Sequence, residues 1–145
     1  MYPIKINTIS DYNTLSEMGF LPLMDWRRFQ IDIQLRITLQ SRLFGRVEIG
    51  HGNIPQANQR FYKYCWDNSL VKVCQECQKH LTQYGAIHIS HIQTRGGHSE
   101  RAHDPRNFNL LCATHHEQWE NGDQSVMKIR KENGRIIKLL NQDYK

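Results

Sequence analysis

Two ligand pairs constrain this chain more than anything else in its 145 residues. Cys74-Gln75-Glu76-Cys77 and Cys112-Ala113-Thr114-His115 each carry a two-residue gap, and 34 residues separate them. Such a gap lets one tight turn present both side chains to one ion. Three thiolates and an imidazole suit a closed, tetrahedral, structural zinc site. A lone CxxC reads as well as a redox pair; a second pair just ahead of a helix favours zinc. The opening MYPIKINTIS has no apolar leader, so no secretory signal is expected and a cytoplasmic location follows. In such a chain cysteines are better read as metal ligands than as disulfides. Cys65 has no partner at ligand spacing and reads as a small buried apolar residue. With 39% apolar residues the core is modest, and zinc binding energy would be largely folding energy.

Hydrophobic patterning supplies the surrounding elements. Residues 1–25 read as an irregular, partly packed lead-in around Gly19 and Pro22. From Phe29 to Leu39, apolar residues alternate with polar ones, which predicts a half-buried strand. Arg46–Ile49 reads as a short strand and Gly50-His51-Gly52-Asn53 as a loop. Pro55 then suits the start of a helix from Gln56 to Trp66. Val71-Lys72-Val73 predicts a strand entering the knuckle, Ala86–Ile92 a second, and Asn107–Leu111 the return strand. Between them, 94–106 is a polar loop. A helix begins at His115 and ends at Asn121-Gly122, and a last one runs from Gln124 to about Asn141, with Val126, Ile129 or Arg130, Asn133, Ile137 and Leu140 on one mostly apolar stripe. No apolar run approaches the ~20 residues that span a bilayer.

Lys and Arg exceed Asp and Glu by five, 19 against 14, which favours a polyanionic partner and nucleic acid first. Within the polar half lie His91, Asn107 and His116. Phosphodiester hydrolysis needs an activated water, a cation on the phosphate and stabilisation of the leaving oxygen. A neutral histidine is a suitable base. His91 ends a predicted strand beside a glycine loop, and His116 sits one residue past a zinc ligand. The Asn107 amide is placed either to hold the His91 loop or to bind an ion. Arg95, Arg101, Arg106, Lys128, Arg130 and Arg135 are placed to meet phosphates. His80 reads as a surface residue, His51 as a loop residue, and His98 and His103 as solvated or phosphate-facing. Trp66 and Trp119 read as core anchors.

Ile89-Ser90-His91-Ile92, Arg95-Gly96-Gly97, Asp104-Pro105-Arg106-Asn107 and Leu111-Cys112-Ala113-Thr114-His115-His116 agree in order and spacing with a known pattern. Over roughly 70–122 the chain resembles the zinc-bearing branch of the HNH endonuclease family. The resemblance implies an α+β fold with a ββα-metal (His-Me finger) core. It implies His91 as general base, Asn107 rather than Asn109 as the middle asparagine, and His116 as a ligand of one catalytic divalent ion, Mg²⁺, Mn²⁺ or Ni²⁺. Many members carry Asp or His just before the base, as a second ligand. Here Ser90 stands there. His88, of the same strand parity, is a substitute, as are His98, His103 or Asp104.

The expected organisation is an N-terminal strand and helix appendage over 1–69, a zinc-clipped nuclease core over 70–122, and a basic amphipathic C-terminal helix over 123–145. The expected function is metal-dependent cleavage of DNA, read as double-stranded, with no membrane partner. Oligomeric state stays open, a homodimer included. The alternative is a zinc-containing nucleic-acid-binding module without catalysis, which Ser90 favours. A protein-interaction zinc domain is disfavoured by the histidines and the basic charge.

Overall fold

The computed structural model of the chain describes residues 4–25, 28–45, 54–69 and 71–144. The expected strand over 46–49, the loop over 50–53 and His51 lie outside these residues. Among the described residues, no helix is long and apolar enough to cross a membrane.

The lead-in is regular, which corrects the irregular reading. β1 (Ile4–Ile6) is followed by α1 (Ile9–Glu17), whose first turn is capped by the Thr8 hydroxyl accepting from Asp11 N at 3.1 Å. β2 (Phe29–Ile31) pairs parallel to β1, with Ile4 opposite Phe29 and Ile6 opposite Ile31. The long alternating strand is a second correction. It stops at Ile31, and α2 (Ile33–Phe44) takes over. Asp32 caps that helix by accepting from Leu35 N at 3.2 Å. Ile31, Leu35 and Leu39 fit an i, i+4 series as well as an alternation, and a cap decides between them. The outcome is visible in burial: Arg36 is 4% exposed whereas Ile37 is 43% exposed, the reverse of the strand pattern.

α3 (Ile54–Asp67) carries Pro55 in its first turn, as expected. It buries Ala57, Phe61 and Cys65 completely. The Phe44 ring at the end of α2 meets Phe61 edge-on at 5.5 Å and Tyr64 at 5.1 Å. Of the predicted strand at 71–73, only Val73 pairs, in a single bridge to His80. The first part of 86–92 is a 3-10 turn, Ala86–His88. β3 (Ile89–His91) then pairs antiparallel with β4 (Phe108–Leu110), with Ile89 opposite Leu110, Ser90 opposite Asn109 and His91 opposite Phe108. α4 (Ala113–Asn121) follows β4 directly and stops at Gly122.

The last helix, α5 (Arg130–Asp143), starts later than its sequence suggests. Gln124–Val126 is a separate 3-10 turn, Val126 is 70% exposed, and the buried stripe is Asn133, Ile136 and Leu140. The reason is a distant cap. The buried Glu76 carboxylate accepts from Lys128 N at 2.9 Å and Ile129 N at 3.1 Å, the free donors ahead of the helix. One apolar core joins α3, the knuckle, the hairpin, α4 and α5 around Phe61, Trp66, Trp119 and Leu140. A smaller one holds β1, β2 and α2 together.

Candidate metal centre and active site

The knuckle is a tight turn in which Gln78 N donates to Cys74 O and Cys74 N to Lys79 O, both at 2.8 Å. Cys112 lies at the other end of the core, immediately before α4, so His115 falls in the first turn. The ligand atoms of Cys74, Cys77, Cys112 and His115 lie within 4.8 Å of one another. His115 Nδ1 is 3.6 Å from Cys74 Sγ and 3.3 Å from Cys112 Sγ, and Cys77 Sγ is 3.9 Å from Cys112 Sγ. Tetrahedral zinc with bonds of about 2.3 Å to sulfur sets sulfurs about 3.8 Å apart. The donor set therefore fits zinc in chemistry and in size. Burial alone would raise the Cys74 thiol, but backbone hydrogen bonds at Cys112, Cys77 and Glu76, with the His115 ring, bring it down to about 7. A thiolate, the form that binds metal, is thus favoured.

His91 ends β3 and is 7% exposed. Its ring stacks on Phe61 at 5.6 Å and meets Tyr62 edge-on at 5.9 Å. Its Nε2 lies 2.8 Å from Ala102 O. A carbonyl only accepts, so Nε2 carries the proton and Nδ1 the lone pair. Burial pushes this imidazole down to about 4, against the pull of the Ala102 carbonyl. Arg95, Glu120 and His116 are near enough for their charges to act on it.

Asn107 is fully buried and clamps the loop that supplies Ala102. Its Oδ1 accepts from Gln93 N at 2.8 Å, and its Nδ2 donates to Gln93 O at 3.0 Å and Arg101 O at 3.2 Å. Of the two roles open to this amide, holding the loop is the one its bonds serve.

His116 faces the hairpin from α4. Its Nδ1 bonds Ile87 O, and its Nε2 lies 3.0 Å from Glu120 Oε1. The carbonyl takes an Nδ1 proton, and Nε2 faces a carboxylate that also only accepts, so a proton or a cation must lie between those two atoms. The substitutes considered for the second ligand are placed otherwise. Ser90 is fully buried, on the strand face opposite His91, and its hydroxyl has no hydrogen-bond partner among the described residues. His88 Nδ1 bonds Leu111 O at 3.1 Å, and its ring stacks on Trp66. The Asp104 carboxylate, 1% exposed, accepts from Arg106 and from the Tyr144 hydroxyl. His98 is partly exposed beside Glu100, at 4.0 Å.

A family model for HNH endonuclease matches residues 72–127, a span holding both ligand pairs with His91, Asn107 and His116. This segment belongs to the HNH endonuclease family. No curated protein and no solved structure matches the chain.

Around this HNH segment, three sequence expectations need correcting. His103 is 8% exposed, bonds Asn58 Oδ1 at 2.7 Å and leans on Phe61, so it is not solvated. Arg101 is 5% exposed and bonds Glu100, Gln93 and Asn141. The Arg106 side chain, 10% exposed, is held by Asp104 and Asp143. Both guanidiniums were placed at phosphates from the sequence; both turn inward to carboxylates or amides. Arg95, Lys128, Arg130 and Arg135 are exposed, with Arg135 donating to Glu132 at 3.0 Å. Cys65, Trp66 and Trp119 are buried and His80 is exposed, as read. Two residues were missed. Glu120 carried a legible signal, since His116-x-x-x-Glu120 puts two donors on one helical face. Tyr62 carried none: only the fold brings α3 to His91.

Proposed function

We propose that this protein is an HNH-type endonuclease that hydrolyses DNA phosphodiester bonds with one divalent ion. The observation that carries the reading is the His91 ring, locked by Ala102 O into one tautomer beside the His116–Glu120 pair. In this reading β3, β4 and α4 are the ββα-metal core. His91 Nδ1 takes a proton from water as that water attacks the phosphorus. The ring stays neutral at physiological pH because burial disfavours its cation. Asn107 keeps the loop, and so the ring, in register. His116 and Glu120 would hold Mg²⁺, Mn²⁺ or Ni²⁺, which would supply Lewis-acid stabilisation of the phosphoryl and leaving oxygens. Ser90, His88 and Asn107 are assigned no bond to it, since each is turned away or engaged elsewhere. Cys74, Cys77, Cys112 and His115 would hold a structural zinc and through it fix the start of α4. Exposed Arg95 and the basic residues of α5 grip the backbone.

The test is supercoiled plasmid with each ion, beside His91→Ala. No nicking with any ion, or equal nicking by the variant, rejects the reading. The inward Ser90 hydroxyl supports a second reading, a binding module without catalysis, for which DNA binding without nicking is the signature.

A further inference from the structure

A cleft of about 760 Å³ has Arg95, His103 and Glu120 in its lining and Ile54 and Asn58 on its α3 wall; Ala102, whose carbonyl accepts from His91 Nε2, also lines it. Tyr62 lies one helical turn beyond Asn58, on the same side of α3. Its ring is edge-on to His91 at 5.9 Å. It is half-buried, and its hydroxyl makes no hydrogen bond among the described residues. Burial raises this phenol above its ordinary value, and Arg95 and Glu120, both in the cleft lining, are near enough for their charges to act on it. At neutral pH it is therefore a protonated O–H donor with no acceptor among the described residues. α3 lies outside the residues matched by the HNH family.

We propose that Tyr62 is a substrate-binding residue, whose hydroxyl works with Arg95 to donate to a non-bridging phosphate oxygen of the strand lying over His91. The proposal rests on the reading of this cleft as the nucleic-acid site. Its competitor is a packing role, in which only the ring matters.

Fluorescence anisotropy with a labelled DNA duplex tests it, on zinc-loaded protein without added divalent ion, so that nothing is cut. Tyr62→Phe keeps the ring and should melt like wild type. It should bind about tenfold more weakly, the effect of one hydrogen bond to a charged group. Its salt dependence should match wild type, because a neutral hydroxyl releases no counterion. Arg95→Gln should weaken binding and lower the salt slope by about one. Tyr62→Phe binding within about twofold of wild type overturns the proposal, and so does weakening confined to Tyr62→Ala. Wild-type protein that binds DNA but nicks no plasmid rejects the nuclease reading alone, leaving Tyr62 to be decided by the binding ratio. Wild-type protein that binds no DNA overturns both.

Discussion

Replacing Asn107 by alanine tests the clamp that holds the His91 loop. The wild-type amide is fully buried and makes hydrogen bonds to Gln93 N, Gln93 O and Arg101 O. Each such bond contributes about 1 kcal/mol net, and a buried partner left unmet costs about 1–3 kcal/mol. Gln93 reaches water in part, so its two groups recover some of this, whereas the Arg101 carbonyl is buried. The expected loss is about 3 kcal/mol, a large fraction of the about 5–15 kcal/mol that holds a domain folded. Urea unfolding of zinc-loaded protein measures it. Asn107→Asp should be no better than alanine at neutral pH. It keeps the acceptor for Gln93 N but sets a carboxylate against two carbonyls. The loop also carries Ala102 O, so alanine should lower plasmid cleavage by about 10–100-fold where the variant is still folded, through a misplaced base. A loss below about 1 kcal/mol, or unchanged cleavage, refutes the argument that this amide positions His91.

Acid stability follows from His103, which burial holds at about 4 against an ordinary 6.5. The folded state needs the neutral ring, so stability is intact above pH 6.5 and falls as pH drops toward 4. Between about pH 7.5 and 5.5 this ring accounts for a loss on the order of 1 kcal/mol. His103→Gln, compared with wild type by urea unfolding at both pH values, should lose that much less; equal losses would refute the assignment. Elemental analysis should find about one zinc per chain, and Cys74→Ser should unfold or lose its cooperative transition. A stable, zinc-free Cys74→Ser protein would sink the structural site. Glu120→Gln should weaken Mn²⁺ binding to the zinc-loaded protein by about tenfold or more in an EPR titration. Equal affinity would remove Glu120 from the ion site.

Short-range spacing was legible because it acts through local geometry. The two ligand pairs, the order of His91, Asn107 and His116, the hairpin and its helix all lie within the matched HNH segment. Where spacing was ambiguous, a single local group decided, as Asp32 did when it turned an alternating run into α2.

What the sequence alone determined is which residues can chelate and which can carry a proton, since ligand gaps of two residues and a strand-end histidine need only one turn of chain to take effect. Only the tertiary structure decided which charges face solvent. Arg36 meets Asp143 across 107 residues, Arg101 meets Asn141 across 40, and Glu76 starts α5 from 53 residues away. Buried charges and free helix donors must find partners, and nothing in the intervening chain encodes which distant group arrives. For the same reason Tyr62 and Glu120 come near His91 only through the packing of α3 and α4 around β3 and the turn before it.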